Sequence, residues 1–364
     1  ATTTSDNTGI GYLAGQAVTT GIQNTLIGAN AGDALTDADA NVAVGRAALT
    51  TDTLGSQSVA IGSRALNSQN FTTATNSYNT AVGADAGLSV TTGIQNTLIG
   101  GLAGDALTDA DFNVALGYSA LGAATTSDGN TAIGRFALLS DTQGNLSVAV
   151  GRDALRAQNF TTDVDAYNVA VGGLAGTAVT TGAFNTLIGG LAGDALTDGF
   201  DNVAVGKGAL TTEDRGAKTT AIGFEALATQ NAGTGATYNT AVGASAGAAL
   251  TTGLENTFVG GLAGDALTDA DYNVAIGSRA LGADTLGSRS IAIGRSTLGT
   301  QNFTTATNTY NVAIGYNTGG AVTTGVFNTL IGGLAGEALT DADHNVAVGE
   351  DALANDTLGS QSVA

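Results

Sequence analysis

Carboxylates at fixed spacing are the side chains of this sequence best suited to chemistry. Triplets of the form Asp-x-x-x-Asp-x-Asp recur along the chain, and the repeat that follows often adds one further acid. Carboxylates that converge from adjacent repeats would suit Ca²⁺, which takes about six to eight oxygen ligands. The alternative is that these Asp side chains stabilise turns through hydrogen bonds to nearby backbone. The candidate calcium ligands are Asp33, Asp37, Asp39, Asp52, Asp105, Asp109, Asp111, Asp265, Asp269, Asp271 and Asp284.

Inserted loops with the sequence Gln-Asn-Phe-Thr-Thr are the second candidate site. Three copies are closely alike, and a fourth departs as Gln230-Asn231-Ala232-Gly233. Aromatic side chains among Asn, Gln and Thr could bind a glycan or a protein partner, or each Phe could pack against its own chain as a clasp. The candidate surface contacts are Asn70, Phe71, Asn159, Phe160, Asn302 and Phe303.

Composition argues against several other classes of function. His344 is the only histidine and Cys is absent, so we expect no enzymatic activity. The net charge of −20 disfavours nucleic acid, whose recognition needs a basic face. No apolar run approaches the roughly 18 residues of a membrane helix, so we expect no membrane insertion.

A pentad of the form Asn-Thr/Val-Ala/Leu-Ile/Val-Gly organises the whole chain. Its glycine occurs 20 times, usually with a 17-residue spacing, and such a period indicates stacked repeats. We call each repeat a coil and number it from the first residue of the pentad as position 0, which places the glycine at position 4. Sixteen are 17-residue coils that begin with Asn, and the other four are 20- or 21-residue coils. These long coils begin at Ser58, Ser147, Thr219 and Ser290.

The coils predict an all-β fold, a parallel β-solenoid of about 20 stacked coils. The residue types are poor helix formers, and no apolar stripe keeps a helical period. We expect one strand at positions 1–4, a second short strand near positions 7–11, and stacked Asn side chains that form amide ladders. Gly at position 4 serves either a corner with positive φ or a close approach of two backbones. Thr recurs at position 12, where it could template water, as in an ice-binding solenoid, or suit a strand edge.

The pentad strand has uncharged and mostly apolar side chains on both faces. Positions 1 and 3 carry Thr or Val and then Ile or Val, while position 2 is nearly always Ala or Leu. A strand that is buried on both faces has this continuous apolar pattern. One face can line the interior of the coil, and we expect the other to be covered by the same strand of a neighbouring copy.

Repeats of Asn-Thr/Val-Ala-Ile/Val-Gly-x-x-Ala resemble the head domains of trimeric autotransporter adhesins. They are also similar to the repetitive shafts of some phage and virus fibres. The resemblance covers the whole chain and implies a left-handed parallel β-roll, three chains about one axis, and a role as a surface adhesin or spacer. The coils of that family are usually shorter than those of this sequence, and nothing in this sequence looks like its coiled-coil stalk or membrane anchor.

We therefore expect residues 1–364 to form one repetitive domain, a segment of a longer periodic chain. The expected function is that of a structural or adhesive fibre at the cell surface or outside the cell, which displays its loops at intervals. Its expected partners are copies of itself, as a homotrimer or fibre, and a host-surface glycan or protein. The alternatives are a phage or virus tail-fibre shaft on the virion surface and a Ca²⁺-dependent or ice-binding solenoid.

Overall fold

The computed structural model describes residues 5–364 and confirms the predicted fold class. The protein is an all-β parallel solenoid of about 20 coils, and the described residues contain no helix. Each coil contributes one three-residue strand, and successive strands pair in parallel with equivalent residues side by side, as Thr25 pairs with Val42. The chain divides into two compact units, Ala1–Thr181 and Gly182–Ala364.

The first unit contains ten pentad strands and two pairs of two-residue strands. The pentad strands are β1 (Thr8–Ile10), β2 (Thr25–Ile27), β3 (Val42–Val44), β5 (Val59–Ile61), β7 (Thr80–Val82), β8 (Thr97–Ile99), β9 (Val114–Leu116), β10 (Thr131–Ile133), β12 (Val148–Val150) and β14 (Val169–Val171). Each short pair joins the end of a long coil to the coil before it, and the pairs are β4 (Gly55–Ser56) with β6 (Thr75–Asn76), and β11 (Gly144–Asn145) with β13 (Val164–Asp165).

The second unit repeats this arrangement. Its pentad strands are β15 (Thr186–Ile188), β16 (Val203–Val205), β18 (Thr220–Ile222), β20 (Thr240–Val242), β21 (Thr257–Val259), β22 (Val274–Ile276), β24 (Ile291–Ile293), β26 (Val312–Ile314), β27 (Thr329–Ile331) and β28 (Val346–Val348). The short pairs are β17 (Gly216–Ala217) with β19 (Gly235–Ala236), and β23 (Gly287–Ser288) with β25 (Thr307–Asn308).

Positions 7–11 form turns, so the expected second strand there is wrong. The reason is a series of left-handed residues that bends the chain out of the extended conformation. In the coil that begins at Asn24, φ is positive at Gly28, Asn30, Gly32 and Ala40. Backbone hydrogen bonds between coils still form in this region, as in Gly32 N–H to Ala48 C=O at 3.0 Å. The stacking of coils thus continues through the turns without a second β-strand.

The glycine at position 4 is needed for both of the reasons that the sequence offered, a positive φ and a close approach of two backbones. Gly28 has φ of 133°, a conformation that disfavours L side chains. A Cβ on Gly28 would also lie 2.5 Å from the carbonyl oxygen of Gly45 in the next coil. Any side chain at this position would therefore be strained and would collide with the neighbouring backbone.

The core is thin and is filled by complementary volumes at positions 2 and 8. Where position 2 is the large Leu26, position 8 is Gly32, whose added Cβ would lie 2.8 Å from a methyl carbon of that Leu. Where position 2 is the small Ala43, position 8 is Leu49, and both side chains are fully buried. The close packing expected of a protein interior is thus reached with few large side chains.

Buried Asn side chains link the coils, as predicted. The Oδ1 of Asn24 accepts a hydrogen bond from the Asn41 backbone N–H at 3.0 Å, and its Nδ2 donates to the Ala38 carbonyl at 2.7 Å. Asn24 is fully buried, so these bonds form away from water. Each such Asn therefore ties two adjacent coils together and closes its own coil.

The two faces of the pentad strand differ in exposure. Position 2 lines the interior and is fully buried in Leu26 and Ala43, while positions 1 and 3 point outward and stay partly exposed. Ile61 and Leu116 in the first unit keep 38% and 43% of their surface exposed. We call the residues at positions 1 and 3 the outer face. Within each unit it forms two ranks of Thr, Val and Ile, with Leu116 in the first unit as the single Leu.

Candidate functional site

A buried carboxylate organises each long coil. Asp52 is fully buried, and its Oδ1 accepts hydrogen bonds from the backbone N–H groups of Gly55 at 3.0 Å and Phe71 at 3.1 Å. Its Oδ2 accepts from the Gln69 Nε2 at 2.6 Å. Three donors thus satisfy both oxygens of the buried carboxyl group, and they fix the inserted loop to the preceding coil.

A Gln from the loop replaces the Asn that a long coil lacks. Ser58 stands at position 0, and its Oγ accepts from the Gln69 Nε2 at 2.8 Å. The Gln69 Oε1 in turn accepts from the Nδ2 of Asn79, which begins the next coil, at 2.9 Å. The amide of Gln69 therefore continues the chain of buried amides across the interruption. We call this arrangement of acid, Gln and position-0 hydroxyl the loop clasp.

Four loop clasps are present in the described chain, and one of them compensates for a shorter loop. Asp141 with Gln158 and Asp284 with Gln301 reproduce the first clasp. The third long coil is one residue shorter than the other three, and its acid is Glu213. Glu213 accepts from the Gly216 N–H at 2.7 Å and from the Gln230 Nε2 at 3.0 Å. The longer side chain reaches the shortened loop.

The loop Phe side chains are buried. They pack against their own chain, as one of the two interpretations of the sequence has it, and they do not form a surface for contact. Phe71, Phe160 and Phe303 keep only 6–7% of their surface exposed. Gly55 leaves room for the ring of Phe71, because a Cβ there would lie 2.7 Å from its Cδ2. These rings are therefore unavailable to a glycan or partner at the surface, which corrects that part of the loop prediction.

The loop Asn residues contribute to the same packing, and the exposed loop tips follow them. The Oδ1 atoms of Asn70, Asn159 and Asn302 accept hydrogen bonds from Thr hydroxyls of the preceding coil at 3.0–3.3 Å. Of the three Asn residues, Asn302 is exposed and the other two are half-buried. The three residues after each Phe are exposed and were not selected in the sequence analysis: Thr72, Thr73 and Ala74; Thr161, Thr162 and Asp163; Thr304, Thr305 and Ala306.

The acidic triplets form hydrogen bonds at turns. Asp39 Oδ1 accepts from the Ile22 N–H of the preceding coil at 2.8 Å, and its own N–H donates to the Ser56 Oγ of the following coil at 2.9 Å. Asp37 Oδ1 accepts from the Thr20 hydroxyl at 2.5 Å. Asp111 and Asp271 repeat the bond of Asp39, and Asp269 repeats that of Asp37. The triplets thus connect neighbouring coils.

The structure does not bring the predicted calcium ligands together into a cation site. Among residues 5–364, no group of three or more His, Cys, Asp or Glu side chains is arranged to hold a metal ion. Asp52 and Asp284 lie inside loop clasps, where protein N–H groups occupy both carboxylate oxygens. Asp33 and Asp265 lie at turns of separate coils, and Asp105 and Asp109 lie in one further coil, at a turn and a bend. Calcium binding stays a prediction, and it requires a thermal midpoint that falls when a chelator is added.

Three carboxyl groups in the acidic turns have raised pKa values. Burial raises the pKa of Asp105 above its ordinary value of 3.8, and the nearby Asp85 adds to the rise. Burial likewise raises the pKa of Asp111 and Asp265, although Arg279 partly opposes the rise at Asp265. Desolvation of a carboxylate favours its neutral form, which is the physical cause at all three positions.

The Thr residues at position 12 use their hydroxyls within the solenoid. The Thr36 hydroxyl donates to the Thr53 carbonyl of the next coil at 3.0 Å, and Thr108 donates to Thr125 in the same way. These hydroxyls therefore connect coils. Their arrangement does not support the ice-binding alternative for the row of Thr at position 12.

Exposed rings at the last position of each coil, which is position 16 in a short coil and position 20 for Tyr310 in a long one, form a column in the second unit that the sequence analysis missed. The ring of Phe327 stacks on Tyr310 at 5.5 Å and on His344 at 4.8 Å between centroids. The Arg289 guanidinium lies between Tyr272 and Tyr310, at 4.5 Å and 5.8 Å from their ring centroids. The single histidine is thus part of a stacked column, a pattern that the residue types at the last position of each coil could have indicated.

Comparison with protein-family models and with curated proteins gives no match for this chain. A search of the described residues for a helix long and apolar enough to cross a membrane also finds none.

Proposed function

We propose that this chain is a segment of an extracellular structural or adhesive fibre, in which stacked coils display loops at regular intervals. The observation that carries the proposal is the loop clasp, which inserts a loop while it preserves the buried amide ladder. Asp52 and Gln69 hold the loop base by five hydrogen bonds in the first copy. A scaffold that repeats this device four times suits the presentation of exposed loop tips, and repeated weak contacts would add up through avidity.

Self-association through the outer face is the second part of the proposal. The outer face carries no charged side chain and consists of Thr, Val, Ile and one Leu. Contiguous exposed apolar surface of this kind marks an interaction site in a soluble protein. A second copy of the chain presents the same ranks at the same spacing, so the two surfaces would match residue by residue. A trimer, as the resemblance to adhesin heads implies, would cover this face in every copy.

The experiment introduces charge into the outer face and measures the mass of the particle. Val259→Lys combined with Ile276→Lys places two cations in adjacent coils at residues that are 36% exposed. We expect the native chain to sediment as an oligomer and this variant to shift to the monomer, with an unchanged circular dichroism spectrum. Thr304→Lys combined with Thr305→Lys adds the same charge at a loop tip and is the matched control, which should stay oligomeric. Equal masses for both variants would reject the outer face as the contact.

The alternative proposal is that the same solenoid forms the fibre shaft of a phage or virus. An antibody against the loop tips would label intact cells if the fibre belongs to a cell surface. Label confined to virus particles would assign the shaft role and reject the cell-surface one.

A further inference from the structure

An open groove of about 540 Å³ lies on one corner of the second unit. It runs across four successive coils at positions 5 and 6, directly after the pentad strands. The residues that matter for its chemistry are Ala244, Ser245, Gly261, Ser278, Arg279 and Arg295.

The groove exists because its floor is made of two small residues. Gly261 has open space where a side chain would stand, since an added Cβ would meet only the Ala244 carbonyl oxygen at 3.9 Å. Two coils further along, the same position carries Arg295, whose side chain is exposed. The small residues and the Arg side chain therefore produce a hollow with a cationic wall.

The polar groups around this hollow are accessible to a ligand. Neither Arg279 nor Arg295 takes part in an ion pair among the described residues. Ser245 is half-buried and Ser278 is exposed, and both residues line the groove. Arg295 donates a hydrogen bond of 3.4 Å to the Tyr316 hydroxyl, so the guanidinium is steadied beside an exposed ring.

Charge selects the kind of ligand. Two guanidinium groups face the hollow, and Asp265 is the carboxyl group that interacts with Arg279. The planar fork of Arg matches the geometry of carboxylate and sulfate. A long polyanion such as nucleic acid is repelled by the net charge of −20, whereas a small anion responds mainly to the local cations.

We propose that this groove binds a saccharide that carries a carboxylate or a sulfate group. Arg279 and Arg295 would bind the anionic group, and the Ser245 and Ser278 hydroxyls would bind sugar hydroxyls. The volume lies within the range of about 300–1,000 Å³ that small-molecule sites occupy. This inference goes beyond the fibre role and does not depend on it, because the whole groove belongs to one copy of the chain.

The first unit contains a corner with the same floor and a less cationic wall. Ala84, Gly101 and Arg135 correspond to Ala244, Gly261 and Arg295, but Asp85 replaces Ser245, Tyr118 replaces Ser278 and Ser119 replaces Arg279. The Asp85 carboxylate forms an ion pair with Arg64 at 2.7 Å. Tyr118 Cδ2 would lie 3.6 Å from a Cβ on Gly101, so this ring fills the hollow. Because this corner has a carboxylate and a filled hollow, we expect it not to bind an anionic sugar.

The test is calorimetric titration of the full chain with short oligosaccharides that differ only in charge. One carries a uronic acid, one a sulfate, and one is the neutral parent. We expect the uronate or the sulfate sugar, or both, to bind, and the neutral sugar to bind at least about tenfold more weakly. Arg279→Gln with Arg295→Gln should lower the affinity by about tenfold or more, and Ser245→Asp should abolish binding.

Lys218→Gln is the matched control, since it removes a cation of the same unit outside the groove and should leave the affinity unchanged. All substituted side chains are exposed or half-buried, and circular dichroism checks that each variant keeps its fold. The proposal is overturned if neither anionic sugar binds, if the neutral sugar binds equally well, or if the double Arg variant keeps native affinity. A chain that stays monomeric yet binds the anionic sugar would reject the fibre proposal and retain this one.

Discussion

In a short coil the buried amide at the corner belongs to the coil's own Asn, whereas in a long coil it comes from a Gln of the inserted loop. Asn41 illustrates the first case, since its Oδ1 accepts the N–H of Ser58 at 2.8 Å and its Nδ2 donates to the Gly55 carbonyl at 2.9 Å. Gln69 illustrates the second, where the small Ser58 at position 0 leaves space for the incoming amide. The ladder therefore requires a buried amide at each level, and the residue that supplies it can change.

The difference also explains why a buried acid accompanies the long coils. A short coil closes with its own backbone and Asn side chain, and where another short coil follows it, its acids lie at turns, as the exposed Asp37 does, whereas Asp52 lies in the short coil that precedes a long one. A long coil must hold four additional residues in most copies, and Asp52 does so by accepting three hydrogen bonds. Acids of the same type thus have different roles, because one is buried and the other is solvated.

Removal of the clasp acid is expected to have the largest effect. Asp52→Ala leaves two backbone N–H groups and one of the two Gln69 amide N–H groups buried without an acceptor, at about 1–3 kcal/mol for each unsatisfied group, while the Gln69 amide keeps its bond to Ser58. We expect the free energy of local opening to fall by roughly 3 kcal/mol or more, measured by hydrogen exchange at the amides of Val59–Ile61. Asp37→Ala at an exposed turn is the control and should change it by less than about 0.5 kcal/mol. Equal effects would mean that burial does not distinguish the two acids.

Conversion of a long coil toward the short pattern is expected to have the next largest effect. Ser58→Asn places a second amide where the Gln69 amide already lies, and such overpacking costs about 1–3 kcal/mol. Ser58→Asn combined with Gln69→Ala should recover part of that loss, because one amide again occupies the site. A double-mutant cycle measured by chemical denaturation gives the coupling, expected at about 0.5–3 kcal/mol. Additive losses would show that the two amides do not replace each other.

The match between loop length and acid is expected to matter less. Glu213→Asp shortens the acid of the shortest long coil and withdraws it from the Gly216 N–H and the Gln230 amide, so we expect a loss of about 1–2 kcal/mol in unfolding free energy. Glu255→Asp at an exposed position is the control for the loss of one methylene. If Glu213→Asp behaves like that control, the longer side chain is not required by the shorter loop.

The pH dependence of the acidic turns is expected to be the smallest effect. The pKa values of Asp105 and Asp265 are raised in the folded state, so each carboxyl group binds its proton more tightly there than in the unfolded chain. The stability that this provides is complete below the ordinary pKa of 3.8 and is lost as the pH rises through the folded pKa. Asp105→Asn with Asp265→Asn should therefore reduce the decline in melting temperature over that window. Asp109→Asn, at an exposed position, should leave the decline unchanged, and an equal response from both variants would contradict the burial argument.

Much of the fold could be predicted because the repeat constrains every coil at once. The pentad strand and the Asn ladder followed from residue types that return at fixed positions, whereas the inward direction of position 2 came from the structure alone. The second strand was wrong because non-glycine residues such as Leu49 adopt positive φ, which propensity does not foresee. The alternation of Leu26 with Gly32 and Ala43 with Leu49 was visible in the sequence and indicates how the core is packed.

The sites were harder to predict because they depend on which coils are neighbours. Each long coil follows an acid that has a Gly shortly after it and a Gln one short-coil length after it, as in Asp52, Gly55 and Gln69. That correlation could have identified the clasp and excluded Asp52 from a calcium site. The groove could not be predicted, since it arises where Gly261 lies between particular side chains of adjacent corners.

The mass of the native chain in solution tests most directly whether the outer face is covered by further copies of the protein. Sedimentation equilibrium over a wide range of concentration should give a multiple of the chain mass of 35.4 kDa, and a threefold mass would establish the trimer. A single species of 35.4 kDa at every concentration would contradict the account, because the outer face would then be stable in water without a partner.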